Sequence, residues 1–181
     1  MKKYLLLAAA AISTLCASAQ IYAGGSIGAW RNGSEHETQI SIMPEVGYTL
    51  SEKADIGATV GWSYDHTTGV STNVFQVNPY YRYNFYQTGK VKFFVQGGFG
   101  VGAGKTSYSH GRDSSDTAVI WNVGLTPGVS YDVSDNVTLL AKVGFLGYKG
   151  ANSAAKDGGY ADEWGFHFSS NDLSFGFSYH F

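Results

Sequence analysis

Ile40-Ser41-Ile42-Met43-Pro44-Glu45-Val46-Gly47-Tyr48-Thr49-Leu50 is the stretch that decides the fold. Ile40, Ile42, Pro44, Val46, Tyr48 and Leu50 fall on one face of an extended backbone, and Ser41, Glu45, Gly47 and Thr49 on the other. Alternation with period two marks a β-strand with two unlike faces. The short turn Ser51-Glu52-Lys53 follows. The pattern then resumes with Ile56, Ala58, Val60, Trp62 and Tyr64 opposite Asp55, Gly57, Thr59, Gly61 and Ser63. The end of the first strand recurs as Pro-x-apolar-x-Tyr-x-apolar, from Pro44 to Leu50, Pro79 to Phe85 and Pro127 to Val133, with a proline-less copy from Phe175 to Phe181. Four strands closing on the same step predict four strand ends at one level, such as one rim of a membrane.

The N-terminus reads as a secretory signal. Lys2 and Lys3 form a basic segment, Leu5 to Leu15 an apolar one, and Ala17-Ser18-Ala19 a small-residue cleavage site. Residues 1–19 are therefore expected to be removed, leaving 20–181 as one domain. Cys16, the chain's one cysteine, lies in the signal behind Leu15, where a lipobox requires a small residue, so disulfides are expected to play no part. Without Lys2 and Lys3 the 12 basic side chains become ten against 14 acidic, a net charge of −4, and no basic stripe suggests a nucleic-acid partner. No apolar run after the signal approaches the roughly 18 residues of a spanning helix. With 24 Gly, 13 Tyr and 11 Phe against 3 Pro, and no helical periodicity, the chain should be all-β.

Eight strands can be placed, at about 20–30, 38–50, 54–65, 73–85, 91–103, 118–133, 137–148 and 166–181. The faces of the first are ambiguous. In the seventh, Val143 is placed on the apolar face near mid-strand. Tight connections at 51–53, 86–90 and 134–136 alternate with longer polar ones at 31–37, 66–72, 104–117 and 149–165. Short turns at one end and long loops at the other are the layout of an outer-membrane barrel. Charge placement agrees. Glu45, Arg82 and Lys142 share the face rich in Gly, Ser, Thr, Asn and Gln, and burying that face as a soluble core would strand charges at several kcal/mol each. Turning the apolar face to lipid and the polar face to a lumen removes the conflict. Aromatics then form two interfacial girdles. Tyr48, Tyr83, Phe85, Tyr131, Tyr179 and Phe181 lie at the short-turn end, and Trp30, Trp62, Tyr64 and Trp121 toward the long-loop end.

The C-terminal Ser174-x-Gly176-x-x-Tyr179-x-Phe181 resembles the β-signal read by the barrel-assembly machinery. With it, the whole mature chain resembles the small outer-membrane β-barrel family, the group around the OmpA transmembrane domain and OmpX. That resemblance implies an eight-stranded, antiparallel, up-and-down transmembrane barrel in a Gram-negative outer membrane. It also implies a monomer among lipopolysaccharide and phospholipid, without a peptidoglycan-binding domain. One feature departs from the pattern: Pro44, Pro79 and Pro127 sit inside strands that closure makes central, where each deletes a ladder donor. Their equal distance from the turns predicts a shared bulge or rim feature.

Glu45, Arg82 and Lys142 are expected to point inward within two layers, because pairing across the tight turn sets Lys142 opposite Gly128. An eight-stranded barrel is narrow enough for side chains to fill, so these charges can form a salt-bridged plug or merely neutralise one another in a polar core. His167 and Ser169 share a strand face and resemble the His-x-Ser motif of membrane-embedded lipid A deacylases, with Asp162, Glu163 or Asp172 available to orient the histidine. Against this, Phe166 and Phe168 face lipid with even parity, whereas Leu173 to Phe181 do so with odd parity, so a bulge must lie between them. His36, His66 and His110 lack paired ligand spacing and predict no metal site. His180 should point inward near the rim. Gly97, Gly98, Gly100 and Gly102 precede no helix and are no phosphate cradle. No cofactor is expected. The sequence thus predicts a non-enzymatic barrel with a structural or surface-interaction role exercised through four outer loops. A narrow pore is the first alternative, and a lipid A-modifying enzyme using His167 and Ser169 the second.

Overall fold

A computed structural model describes residues 21–32, 37–67, 70–108, 117–157, 160–168 and 173–181. The expected signal at 1–19 lies outside them. Six strands run in succession: β1 (Ile21–Asn32), β2 (Glu37–Ser51), β3 (Ala54–Thr67), β4 (Val70–Thr88), β5 (Val91–Tyr108) and β6 (Ala118–Asp132). A seventh stave is split into β7 (Val137–Lys142) and β8 (Phe145–Ala151), and an eighth into β9 (Glu163–His167) and β10 (Ser174–His180). Each stave pairs antiparallel with the next, and β1 pairs with β10, closing an eight-staved meander barrel.

The two strand faces sort as their side chains require. Val46, Val60, Val77, Val101 and Val123 stay exposed on the outside, while Glu45, Asp55, Arg82, Ser130 and Thr138 are buried inside. This is inside-out relative to a water-soluble barrel, and it is the distribution that lipid outside and a polar lumen demand. On β1, whose faces the sequence left open, Tyr22 turns inward at 1% exposure.

The outer connections differ from expectation. β1 and β2 pair as far as Asn32↔Glu37, and β3 and β4 as far as Thr67↔Val70, so Arg31, Asn32 and Glu37 belong to strands, as do His66, Thr67 and Val70 to Thr72. Where both faces of a hairpin meet water, alternation fades and the sequence resembles a loop. β5 likewise runs on to Tyr108. The connection after β8 carries a short helix, α1 (Ser153–Asp157), in which the Asn152 side-chain oxygen accepts from the Ala155 N–H at 3.0 Å as an N-cap.

The seventh stave breaks at Val143-Gly144. Gly144 has φ of +72°, a conformation cheap only for glycine. Across the break the register with β6 slips by one residue, from Gly128↔Lys142 to Leu125↔Leu146. Val143, expected at mid-strand, sits in this break and donates its N–H to the Pro127 carbonyl at 3.1 Å. In the eighth stave the expected parity change falls between β9 and β10, where 169–172 lie outside the described residues; Phe166, Phe168, Leu173 and Phe175 are all exposed.

The prolines do not share a bulge. Register is constant across Pro44 (Ile42↔Trp62, Glu45↔Thr59) and across Pro79 (Val77↔Val101, Tyr80↔Gly98). The ladder pauses where the donor is missing, and both residues are exposed. Pro127 alone lies beside a register change, and that change belongs to the seventh stave. Between β2 and β3 and between β4 and β5, the shifts occur at Thr49/Ser51 and Asn84/Tyr86, next to the tight turns.

Candidate functional site

The lumen is crossed by one hydrogen-bonded cluster. Arg82 on β4 donates Nη2 to Glu45 Oε1 on β2 at 2.8 Å, and Lys142 on β7 donates Nζ to Glu45 Oε2 at 3.2 Å. The three charges foreseen at these positions therefore meet on one carboxylate. Tyr80 donates its hydroxyl to Glu45 Oε1 at 2.7 Å, and its oxygen lies 2.7 Å from that of Tyr22. A phenol has one proton, so Tyr22 must be the donor to Tyr80, giving a directed chain Tyr22→Tyr80→Glu45. Gln96 Oε1 accepts from Arg82 Nε at 3.3 Å and Nη2 at 3.1 Å. Asp55 stands opposite Arg82 in the β3–β4 register, buried and inward, so the layer holds two carboxylates and two cations.

Aromatic rings complete the closure. The Arg82 guanidinium carbon lies 5.0 Å from the ring centres of Tyr80 and Phe94 and 5.9 Å from that of Tyr22, within cation–π range. Each ring has a glycine directly across the ladder: Tyr22↔Gly47, Tyr80↔Gly57 and Phe94↔Gly128. A Cβ at any of these glycines would overlap the facing ring. The wall is hollowed where the plug is thick. Glu45 and Arg82 are each 4% exposed, and among the described residues no buried side-chain polar atom lacks a partner. Buried ion pairs are tolerable only with this degree of satisfaction.

Above the plug lies a cavity of about 560 Å³ bordered by Glu45, Tyr80, Gln96, Asn122, Thr126 and Lys142. Below it a second cavity of about 370 Å³ opens between the short turns, bordered by Lys92, Asp132, Thr138 and His180. There Lys92 pairs with Asp132 at 2.9 Å, and Thr138 donates to Asp132 Oδ1 at 2.8 Å. His180 points inward beside Tyr22, ring centres 5.2 Å apart.

Sequence reading overlooked Tyr22, Tyr80, Phe94 and Asp55. Tyr80 shares parity with Arg82, and Phe94 with Gln96, so alternation carried the signal. The cross-strand glycines were the second clue.

Other singled-out residues are dispersed. Tyr83, Tyr131, Tyr179 and Phe181 are exposed at the short-turn end and Tyr48 is half-buried there; Trp62 is exposed and Trp121 half-buried toward the other end. The Trp30 side chain lies outside the described residues. Ser174, Gly176 and Tyr179 lie on β10, with Phe181 just beyond it. His167 ends β9, and Ser169 and Asp172 fall outside the described residues, as do His36 and His110. The Asp162 carboxylate is engaged by Lys156 Nζ at 2.6 Å and the Ala151 N–H at 3.2 Å. The hydrogen bond from Lys156, reinforced by that from Ala151, holds its pKa below the usual range. His66 stacks on Tyr64 and its Nδ1 is 2.9 Å from Ser71 Oγ. Among the described residues no group of three potential metal ligands comes together.

A family model for the outer membrane protein beta-barrel domain matches residues 4–181. Two solved structures share the fold. Neisserial surface protein A is 18% identical, with 90% of this chain and 95% of that one covered at a TM-score of 0.51. The N-terminal β-barrel domain of Pseudomonas aeruginosa OprF is 15% identical, with 90% and 96% covered at a TM-score of 0.52. No curated protein sequence matches the chain.

Proposed function

Because the chain belongs to the outer membrane protein beta-barrel domain family, we propose that it is an integral, non-enzymatic barrel of a Gram-negative outer membrane that acts through its outer surface and not by conduction. The plug carries this reading. Glu45, Arg82 and Lys142, packed with Tyr22, Tyr80 and Phe94, leave the middle of the lumen to side chains. The exported chain would present Ser174, Gly176, Tyr179 and Phe181 to the barrel-assembly machinery. It would then reside as a monomer among lipopolysaccharide and phospholipid, with the connections beyond Tyr108 and Ala151 offered to external partners. A lipid A-modifying role finds less support, since Asp162 is committed to Lys156 and Ala151.

Single-channel recording from folded protein in planar bilayers tests the proposal. A folded barrel without reproducible current steps is expected. Stable, voltage-independent steps would replace it with the narrow-pore reading, and Glu45, Arg82 and Lys142 would become selectivity candidates.

A further inference from the structure

Given the outer-membrane placement proposed above, on which this rests, we infer that the outer wall of β3, β4 and β5 binds a lipid whose head is a phosphorylated sugar, the lipid A portion of lipopolysaccharide. Asn73, Phe75, Val77, Pro79, Tyr81 and Tyr83 are the exposed, outward residues of β4, Tyr80 and Arg82 being buried inside. For strands tilted as in such barrels, the rise from Tyr83 to Asn73 is about 26 Å, the height of the lipid-facing apolar band. With Tyr83 at the periplasmic interface, Asn73 lies at the headgroup level of the outer leaflet. The register sets Tyr64 of β3 and Lys105 of β5 on either side of it, as Tyr64↔Asn73 and Asn73↔Lys105. Both have the outward parity of the exposed Val60 and Val101. This wall stands tall, since β5 runs on to Tyr108 past its last rung with β6, Gly104↔Ala118.

An interfacial girdle requires only amphipathic rings, and this wall offers more. Trp62, Tyr64 and His66 follow one another on β3 as near-parallel rings, with centres 6.4 and 6.3 Å apart. Ser71 Oγ lies 2.9 Å from His66 Nδ1 and 3.3 Å from the Tyr64 hydroxyl, tying the upper two rings to β4. The C–H face of a pyranose carries partial positive charge that suits the negative face of an aromatic ring. Lys105 is exposed, and among the described residues no carboxylate forms an ion pair with it. Its ammonium is a compact positive charge suited to a phosphate. Asn73, between the rings and the ammonium, can donate to and accept from sugar hydroxyls. Beneath them Trp62, Phe75 and Ala103 form the next row, apolar and exposed, where acyl chains can lie. On β8, by contrast, Lys149 lies 5.4 Å from the Phe145 ring centre, and that ring borders the upper cavity. A phospholipid head would meet Lys105 and leave the rings uncovered; a phosphorylated sugar meets both.

Native mass spectrometry of the folded, detergent-solubilised barrel, titrated with purified diphosphoryl lipid A, tests this. One lipid A per barrel is expected at concentrations where phosphatidylglycerol is not retained. Lys105→Gln should weaken binding about fivefold, the effect of one ammonium near an anionic headgroup layer. Tyr64→Ala, which removes the middle ring, should weaken it too. Lys53→Gln, on the short turn at the opposite end, should leave it unchanged. Equal retention of phosphatidylglycerol, or full binding by Tyr64→Ala, would overturn the sugar assignment. A Lys105→Gln affinity indistinguishable from that of Lys53→Gln would overturn the site. Failure of the chain to insert into lipid vesicles as a barrel would instead overturn the membrane placement beneath the proposal.

Discussion

Glu45→Ala should be the most damaging single substitution in the lumen. The carboxylate accepts from Arg82, Lys142 and Tyr80, so truncation deprives two cations of their shared partner and strands a phenol proton. Removing one partner of a buried pair costs about 3–5 kcal/mol. With a urea dependence of about 2 kcal/mol/M, a loss near the middle of that range lowers the unfolding midpoint by about 2 M. The assay is equilibrium unfolding of the refolded barrel, followed by far-UV circular dichroism and tryptophan fluorescence. The double variant Glu45→Ala/Arg82→Ala supplies the control. Removing the stranded guanidinium together with its acceptor should cost less than the two single changes combined, with a coupling of about 1–3 kcal/mol. A Glu45→Ala midpoint within error of the unchanged protein, or strict additivity in the double variant, would refute the argument that this carboxylate organises the plug.

Val77 faces outward between Val60 and Val101, midway between Tyr83 and the polar Asn73 on β4; Val77→Arg should destabilise by about 2–4 kcal/mol as measured by urea unfolding in lipid vesicles. Gly57→Val should overpack against Tyr80 and cost about 1–3 kcal/mol in the same assay, whereas Gly89→Ala, whose Cβ meets nothing, should cost less despite φ of +56°. The Lys156–Asp162 contact gives a pH dependence. The folded-state pKa of Asp162 is depressed by its hydrogen bond with Lys156, so its stabilisation is present above the unfolded value of about 3.9 and is lost as pH falls through the lower folded value. Exchange protection of the Ala151 amide, which donates to this carboxylate, should hold from pH 8 down to about 5 and fall below about 4. Protection that declines between pH 7 and 5 would contradict that assignment.

Alternation made the barrel legible because lipid and lumen impose opposite demands on successive residues of β2 through β6. The same rule, with pairing across the tight turns, put Glu45, Arg82 and Lys142 on the inward face within two layers. It stopped short of Tyr80 and Phe94, because an aromatic residue in a membrane strand is read as lipid-facing unless parity is followed strictly. The glycines opposite them, Gly57 and Gly128, mark the hollows that receive the rings. Above the apolar band the signal fades. Asp65, His66, Ser71 and Thr72 lie in strands, yet with water available to both faces nothing enforces alternation. The break at Gly144 was invisible for a different reason. Val143-Gly144-Phe145-Leu146 keeps an apolar rhythm, and only its positive φ announces the change of direction. In the eighth stave the parity conflict between Phe168 and Leu173 was legible, but not that, among the described residues, its pairing to β1 runs from Tyr22 to Gly25.

Sided thiol labelling tests the closed lumen most directly. Asn122→Cys borders the upper cavity and Thr138→Cys the lower one, with the plug between them. In the mature, membrane-embedded barrel, a membrane-impermeant maleimide should modify Asn122→Cys only from the outer side and Thr138→Cys only from the periplasmic side. Labelling of either position from both sides would show a continuous aqueous path through the lumen and contradict the plug.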